Sequence, residues 1–162
     1  MALIGKMTFT WLCLCFIIVP NLGGWFGGIA VSRNRAWYFK NVVHSPASPP
    51  NWLIGPIWTI LYCLMGVASY LVWEERKWKS WIPLLVYLGQ LLLNWGWPWL
   101  FFELRNLTMA LVDLILLDIT VAVCIVLFGI VRLMAGALLV PYMIWLIYAS
   151  YLNFYAYSHT KV

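Results

Sequence analysis

In the stretch LNWGWPWLFF, residues 93–102, an otherwise apolar run carries three tryptophans, an amide and a proline. Together with Gln90, the residues Asn94, Trp97 and Phe101 recur at i, i+4, i+7 and i+11, the spacing of one helical face. Two amides beside two flat rings can hydrogen-bond and stack, which is chemistry for holding a molecule rather than transforming one. An unpaired amide in hydrocarbon costs several kcal/mol, so Gln90 and Asn94 must face the interior of a helix bundle. Trp95 and Trp99 lie four apart on another face, where an aromatic belt near the interface is expected, or packing against a neighbouring helix. Pro98 removes a backbone donor and predicts a kink at its level.

Two further stripes have the same character. Trp145, Ala149 and Leu152 follow i, i+4, i+7 with Asn153 beside them, and Ile54, Trp58, Tyr62 and Ser69 run along a similar line. Three stripes mixing Trp with small or hydrogen-bonding residues suit a cavity for a flat, mostly apolar ligand with a few polar groups. The same residues also suit ordinary packing, with amides joining neighbouring helices and rings filling space.

Asp113 and Asp118 are the acids that fall within apolar segments, and a carboxylate there is expensive enough to raise a functional question. Five residues apart, they point to different helical faces and do not make a general acid and base. Asp113 is expected near a helix end, bonding a neighbouring helix or a backbone amide, and Asp118, deeper, is expected to be protonated or paired. His44 lies in a loop and His159 near the end, with no serine elbow, phosphate-binding loop or metal-ligand spacing around them, so catalytic and metal sites are not expected. Cys13, Cys15, Cys63 and Cys124 all fall in apolar segments without a CxxC pair and read as inert thiols.

NLGGWFGG, residues 21–28, holds two interleaved GxxxG pairs, Gly23 with Gly27 and Gly24 with Gly28. Small residues one turn apart let helices approach backbone to backbone. They serve either a homodimer interface or the seating of this helix against its own bundle. Leu152, Tyr155 and Lys161 satisfy the loose L-x-Y-x-K pattern proposed for sterol contact, which an interfacial tyrosine with a snorkelling lysine also satisfies.

The elements that must position these residues follow from composition. Of 162 residues 65% are hydrophobic and 9% charged, against roughly 25% charged in soluble domains. The chain reads as an integral, multi-pass membrane protein. Lys6 precedes an apolar stretch, but no small-residue cleavage site follows, so a retained first helix is expected rather than a signal peptide. Windows of about 20 apolar residues lay off spans at 7–31, 51–73, 81–102, 107–131 and 133–157, with a proline-rich first loop at 32–50. The expectation is a single all-α domain over 1–162, a five-transmembrane-helix bundle, since a membrane β-barrel would alternate polar and apolar residues. The net charge of +5 is spread without a basic run, which favours membrane-surface phosphates and excludes nucleic acid as a partner. Arg33, Arg35, Lys40, Arg105 and Lys161 fall on one side of the bilayer and Lys6, Arg76, Lys77, Lys79 and Arg132 on the other. That tie leaves orientation undecided.

WY at 37–38, PPNWLIGPIWTILY at 49–62, MGVASYLVW at 65–73, GQLLLNWGWPWLFF at 89–102, MALVDLILL at 109–117 and VPYMIWLIYASYLNFY at 140–155 together resemble the translocator protein family. That family includes the peripheral-type benzodiazepine receptor of mitochondria and the bacterial tryptophan-rich sensory proteins. The resemblance implies a five-helix bundle, commonly dimeric, whose cavity opens toward the first loop. It implies binding of porphyrins, cholesterol and benzodiazepine-type small molecules, with no obligatory cofactor, and residence in the mitochondrial outer membrane if the source is eukaryotic. Carried over by motif, the pocket takes Gly28, Val31, Ile54, Gly55, Trp58, Asn94, Trp97, Trp145, Ala149 and Leu152, and the sterol segment takes Leu152, Tyr155 and Lys161. The first loop departs from the family pattern, being one residue longer in WYFKNVVHSPASPP, with no lysine-proline pair in register. Met109 stands where animal members often carry Trp.

The leading expectation is a ligand-binding protein that takes a porphyrin, haem or cholesterol into a bundle cavity, for transport or sensing. One rival is a porphyrin-degrading enzyme using Trp97 and Trp145 as electron donors. Another is a membrane scaffold without a small ligand.

Overall fold

The computed structural model describes residues 11–75 and 81–160, and every segmental expectation except the ends around Lys6, Arg76, Lys77, Lys79 and Lys161 falls within them. Helix α1 covers Trp11–Arg33, α2 Arg35–Asn41, α3 Asn51–Glu74, α4 Trp81–Pro98, α5 Leu107–Val131 and α6 Leu133–His159. The described chain is all-helical outside its turns. Helices α1, α3, α5 and α6 are long and apolar enough to cross a membrane. The 18-residue α4 carries Gln90, Asn94 and tryptophans, and a five-residue π turn, Trp99–Glu103, prolongs it.

Pro98 ends the regular helix, and the π turn follows it: the Leu104 amide bonds the Trp99 carbonyl at 2.9 Å and the Asn106 amide the Leu100 carbonyl at 3.0 Å. Residues 35–41, expected as loop, are helical instead. Seven residues cannot sustain a helix alone, and this one is held by tertiary contacts: Tyr38 meets Phe102 at 5.3 Å between ring centroids, and the Arg105 guanidinium lies 5.2 Å over the Trp37 ring. Burial pushes the Tyr38 phenol up from its ordinary range.

The long helices close a ring in which α1 packs on α3 and α4, α3 on α6, α6 on α5, and α5 on α4. A main core of Met65, Leu71, Leu91, Leu117, Phe128, Leu139 and Leu146 fills it. A second, smaller core of Ala30, Val42, Phe101, Phe102, Leu107, Ala110 and Ala156 sits beneath α2 at the first-loop end. At the opposite end Arg132 pairs with Glu74 at 3.2 Å, tying the α5–α6 turn to the end of α3. Where α1 crosses α3 the helices touch through backbone. A Cβ at Gly66 would lie 2.5 Å from the Ile17 Cα and 2.6 Å from the Phe16 carbonyl oxygen, so only glycine permits this approach.

Candidate functional site

The α4 stripe faces inward, with Gln90, Asn94 and Phe101 buried and Trp97 partly so. Its amides, however, hold helices. The Tyr62 hydroxyl donates to Asn94 Oδ1 at 2.6 Å, Asn94 Nδ2 donates to the Tyr142 hydroxyl at 2.9 Å, and that hydroxyl donates to Gln90 Oε1 at 3.1 Å. One continuous chain joins α3, α4 and α6. One turn further on, Trp97 Nε1 donates to Asn153 Oδ1 at 3.0 Å, while Asn153 Nδ2 donates to the Leu107 carbonyl at 3.2 Å, joining α4, α6 and α5. Asn94 and Asn153 are thus bonded at both ends of their amides, whereas Gln90 is bonded through Oε1 and its Nε2 is buried with no partner among the described residues.

The tryptophans stand at the edge of this network. Trp58, Trp97 and Trp145 are partly buried and pack on the main core from its rim. Trp58 stacks on Tyr62 at 5.4 Å between centroids, and Trp97 lies 5.0 Å from Phe101. Trp145 lies 5.4 Å from Tyr148, and its indole nitrogen is buried with no hydrogen-bond partner among the described residues. Helical spacing puts Trp145 on the α6 stripe, whereas its unspent donor depends on which neighbours the other helices bring to it. The first loop folds over α6 beside it: the Tyr148 hydroxyl donates to the Ala47 carbonyl at 2.5 Å, Ser45 Oγ and the Tyr151 hydroxyl are 3.2 Å apart, and the Val43 amide donates to Thr160 Oγ1 at 3.0 Å.

The remaining expected site residues divide. Ile54, Ala149 and Leu152 are half-buried, whereas Gly28, Val31 and Gly55 are exposed, and nothing stands within 4 Å of a Cβ built at Gly28 or Gly55. Tyr155 stacks on His159 at 4.1 Å, and Lys161 lies outside the described residues. The glycines of α1 divide too. The Trp95 ring occupies the notch at Gly23, the Tyr62 ring that at Gly24, and Pro98 Cγ that at Gly27, 2.9 Å from where a Cβ would stand. Three of the four therefore seat α1 in its own bundle, and Gly28 alone among them opens outward. This decides between the two roles open to Trp95 and Trp99, packing and the interface. Instead of forming a lipid-boundary belt, Trp95 fills the Gly23 notch, and Trp99 packs on Phe26 of α1 at 4.7 Å. A helical wheel assigns faces but cannot tell that a glycine notch stands opposite.

Asp118 has its partner, accepting a hydrogen bond from Ser150 Oγ of α6 at 2.7 Å. Asp113 is buried with Oδ2 unbonded among the described residues.

The TspO/MBR family model matches residues 16–158. The chain is 37% identical over 150 residues to the translocator protein of Bos taurus, covering 91% of this chain and 89% of that protein. It is 39% identical over 142 residues to the translocator protein of Homo sapiens, with 86% and 84% covered. It is also 39% identical over 134 residues to the tryptophan-rich protein TspO of Archaeoglobus fulgidus, with 83% and 87% covered. A match across nearly the whole length, joined to four apolar helices of membrane-crossing length, makes this chain an integral membrane protein of the TspO/MBR family.

Proposed function

We propose that this protein binds a flat, largely apolar molecule, a porphyrin, haem or cholesterol, between α3, α4 and α6 at the first-loop end of a five-span bundle. The observation that carries the reading is the set Trp58, Trp97 and Trp145, one from each of three helices at the rim of one core, with the Trp145 N–H unspent. Rings of this size offer stacking area, and one free donor gives a ligand's oxygen an orientation. Asn94 acts by fixing the helices that carry those rings, since both ends of its amide are already bonded. Residues 42–50, bonded to Tyr148, Tyr151 and Thr160, lid the site, so release requires those bonds to open. The α4 rod with its π turn is the fifth span, 18 residues plus five, and its polar groups are tolerated because they face the ring's interior. A homodimer through α1 would use the outward face of Trp25, Gly28 and Ile29, because Gly23, Gly24 and Gly27 are filled from within.

The test is a titration of the detergent-purified protein with protoporphyrin IX and cholesterol side by side. Saturation at one ligand per chain, with the porphyrin spectrum unchanged in light, supports binding. Dissociation constants weaker than roughly millimolar, about 4 kcal/mol of standard free energy, for both ligands would remove the reading in favour of a scaffold. Light-dependent bleaching lost in Trp97→Phe would replace it with chemistry on the ring.

A further inference from the structure

A cavity of about 330 Å³ opens at the same end of the bundle but apart from the tryptophans, lined by Leu104, Arg105, Asn106, Leu107, Thr108, Tyr157 and Thr160. It lies where the π turn hands over to α5 and where α6 ends, so it is at headgroup depth if the apolar helices span the bilayer. Its one charged lining group is Arg105. That guanidinium lies over the Trp37 ring, and its hydrogen bond, 3.4 Å long, goes to the neutral Asn34 Oδ1. It forms no ion pair among the described residues; the exposed Glu103 carboxylate accepts through Oε2 from Asn34 Nδ2 at 2.8 Å. A guanidinium has five N–H donors, and most of those on Arg105 stay free for an anion. The backbone at Arg105 has φ 52°, a left-handed conformation, and the Trp37 and Asn34 contacts further fix where the charge points.

The polar side chains around it are hydroxyls of the kind that donate to phosphate oxygens. Thr160 Oγ1 already accepts from the Val43 amide, which leaves its hydrogen for donation, and Thr108 and Tyr157 add two more hydroxyls. Leu104, largely exposed at the rim, offers an apolar edge beside the charge.

We infer that this cavity is a phosphoryl-anion site, in which Arg105 meets the charge and Thr108, Tyr157 and Thr160 complete its hydrogen bonds. The phosphate is either the headgroup of an anionic phospholipid, whose chain would run past Leu104, or free in solution. The site is separate from the proposed ring-binding region, and of the residues named for that region Thr160 alone lines it, through its bond to the Val43 amide of the first loop.

Thermal unfolding in a neutral detergent tests the inference, with sodium phosphate, phosphatidylglycerol and phosphatidylcholine added in separate arms. A rise in midpoint with phosphatidylglycerol and not phosphatidylcholine supports a headgroup site; a rise with inorganic phosphate as well supports a free-phosphate site. Either rise should fall by half or more in R105Q and in Y157F, and return toward wild type in R105K. An unchanged rise in R105Q would overturn the inference. So would an equal loss in K40Q on the exposed side of α2, which would reduce the effect to general surface charge, and so would no rise in any anionic arm.

Discussion

The Tyr62–Asn94–Tyr142–Gln90 chain and the Trp58, Trp97 and Trp145 set are built from the same three helices, yet they spend their polar atoms differently, with Gln90 Nε2 the one atom of the first chain's side-chain amides and hydroxyls left unbonded among the described residues. In the first, each hydroxyl and the Asn94 amide is bonded across a helix boundary. In the second, Trp97 bonds Asn153 but Trp145 keeps a buried N–H free, and the rings meet neighbours by stacking. The contrast separates two roles that a shared helical stripe merges. Bonded amides set helix positions, and aromatic surface at their edge is what remains for a ligand.

The largest effect should come from disturbing the seat on which both regions depend. Gly66→Ala places a methyl into the α1 backbone, and overpacking of this kind costs about 1–3 kcal/mol. The thermal midpoint in detergent should fall, and ligand affinity should fall with it as Gly24 loosens from Tyr62. Asn94→Leu should cost about 1–2 kcal/mol, the range for lost interhelical hydrogen bonds in membranes. If it left unfolding unchanged while weakening the ligand, the amide would belong to the pocket and the contrast would fail. Trp145→Phe reverses the pattern: stability within about 0.5 kcal/mol of wild type, and affinity for an oxygen-bearing ligand reduced roughly 3- to 10-fold, the worth of one hydrogen bond. Tyr148→Phe frees the Ala47 carbonyl, and stopped-flow mixing should show the ligand entering and leaving about threefold faster with little change in affinity, a barrier change of under 1 kcal/mol. Smallest of all, Gly28→Ala meets open space and should leave the monomer's unfolding within about 0.5 kcal/mol of wild type.

Much of the framework was legible in the sequence because lipid solvation makes apolar length a strong signal. The windows at 107–131 and 51–73 coincide with Leu107–Val131 and Asn51–Glu74 to within a residue. The inward stripe of Gln90, Asn94 and Phe101 followed from spacing and the cost of an unpaired amide. What spacing along one helix cannot show is the surface opposite. Tyr142, Ser150 and Asn153 became partners of Asn94, Asp118 and Trp97 only when the ring of helices closed. Gly66 carries no GxxxG partner to mark it, yet it makes the closest backbone approach to α1, while three of the four marked glycines accept side chains. Helix α2 has too few residues to register as a helix by pattern and exists through Tyr38 and Trp37.

The central claim, that the aromatic edge beneath the first loop takes a flat ligand, is tested most directly by tryptophan-fluorescence titration with protoporphyrin IX of the wild type and of a Trp58→Leu, Trp145→Leu double variant. Removing two stacking surfaces, each worth about 1 kcal/mol or more beyond area burial, should weaken a saturable one-to-one isotherm at least tenfold while the folded helix content is retained. An isotherm of unchanged midpoint in the folded double variant would contradict the account.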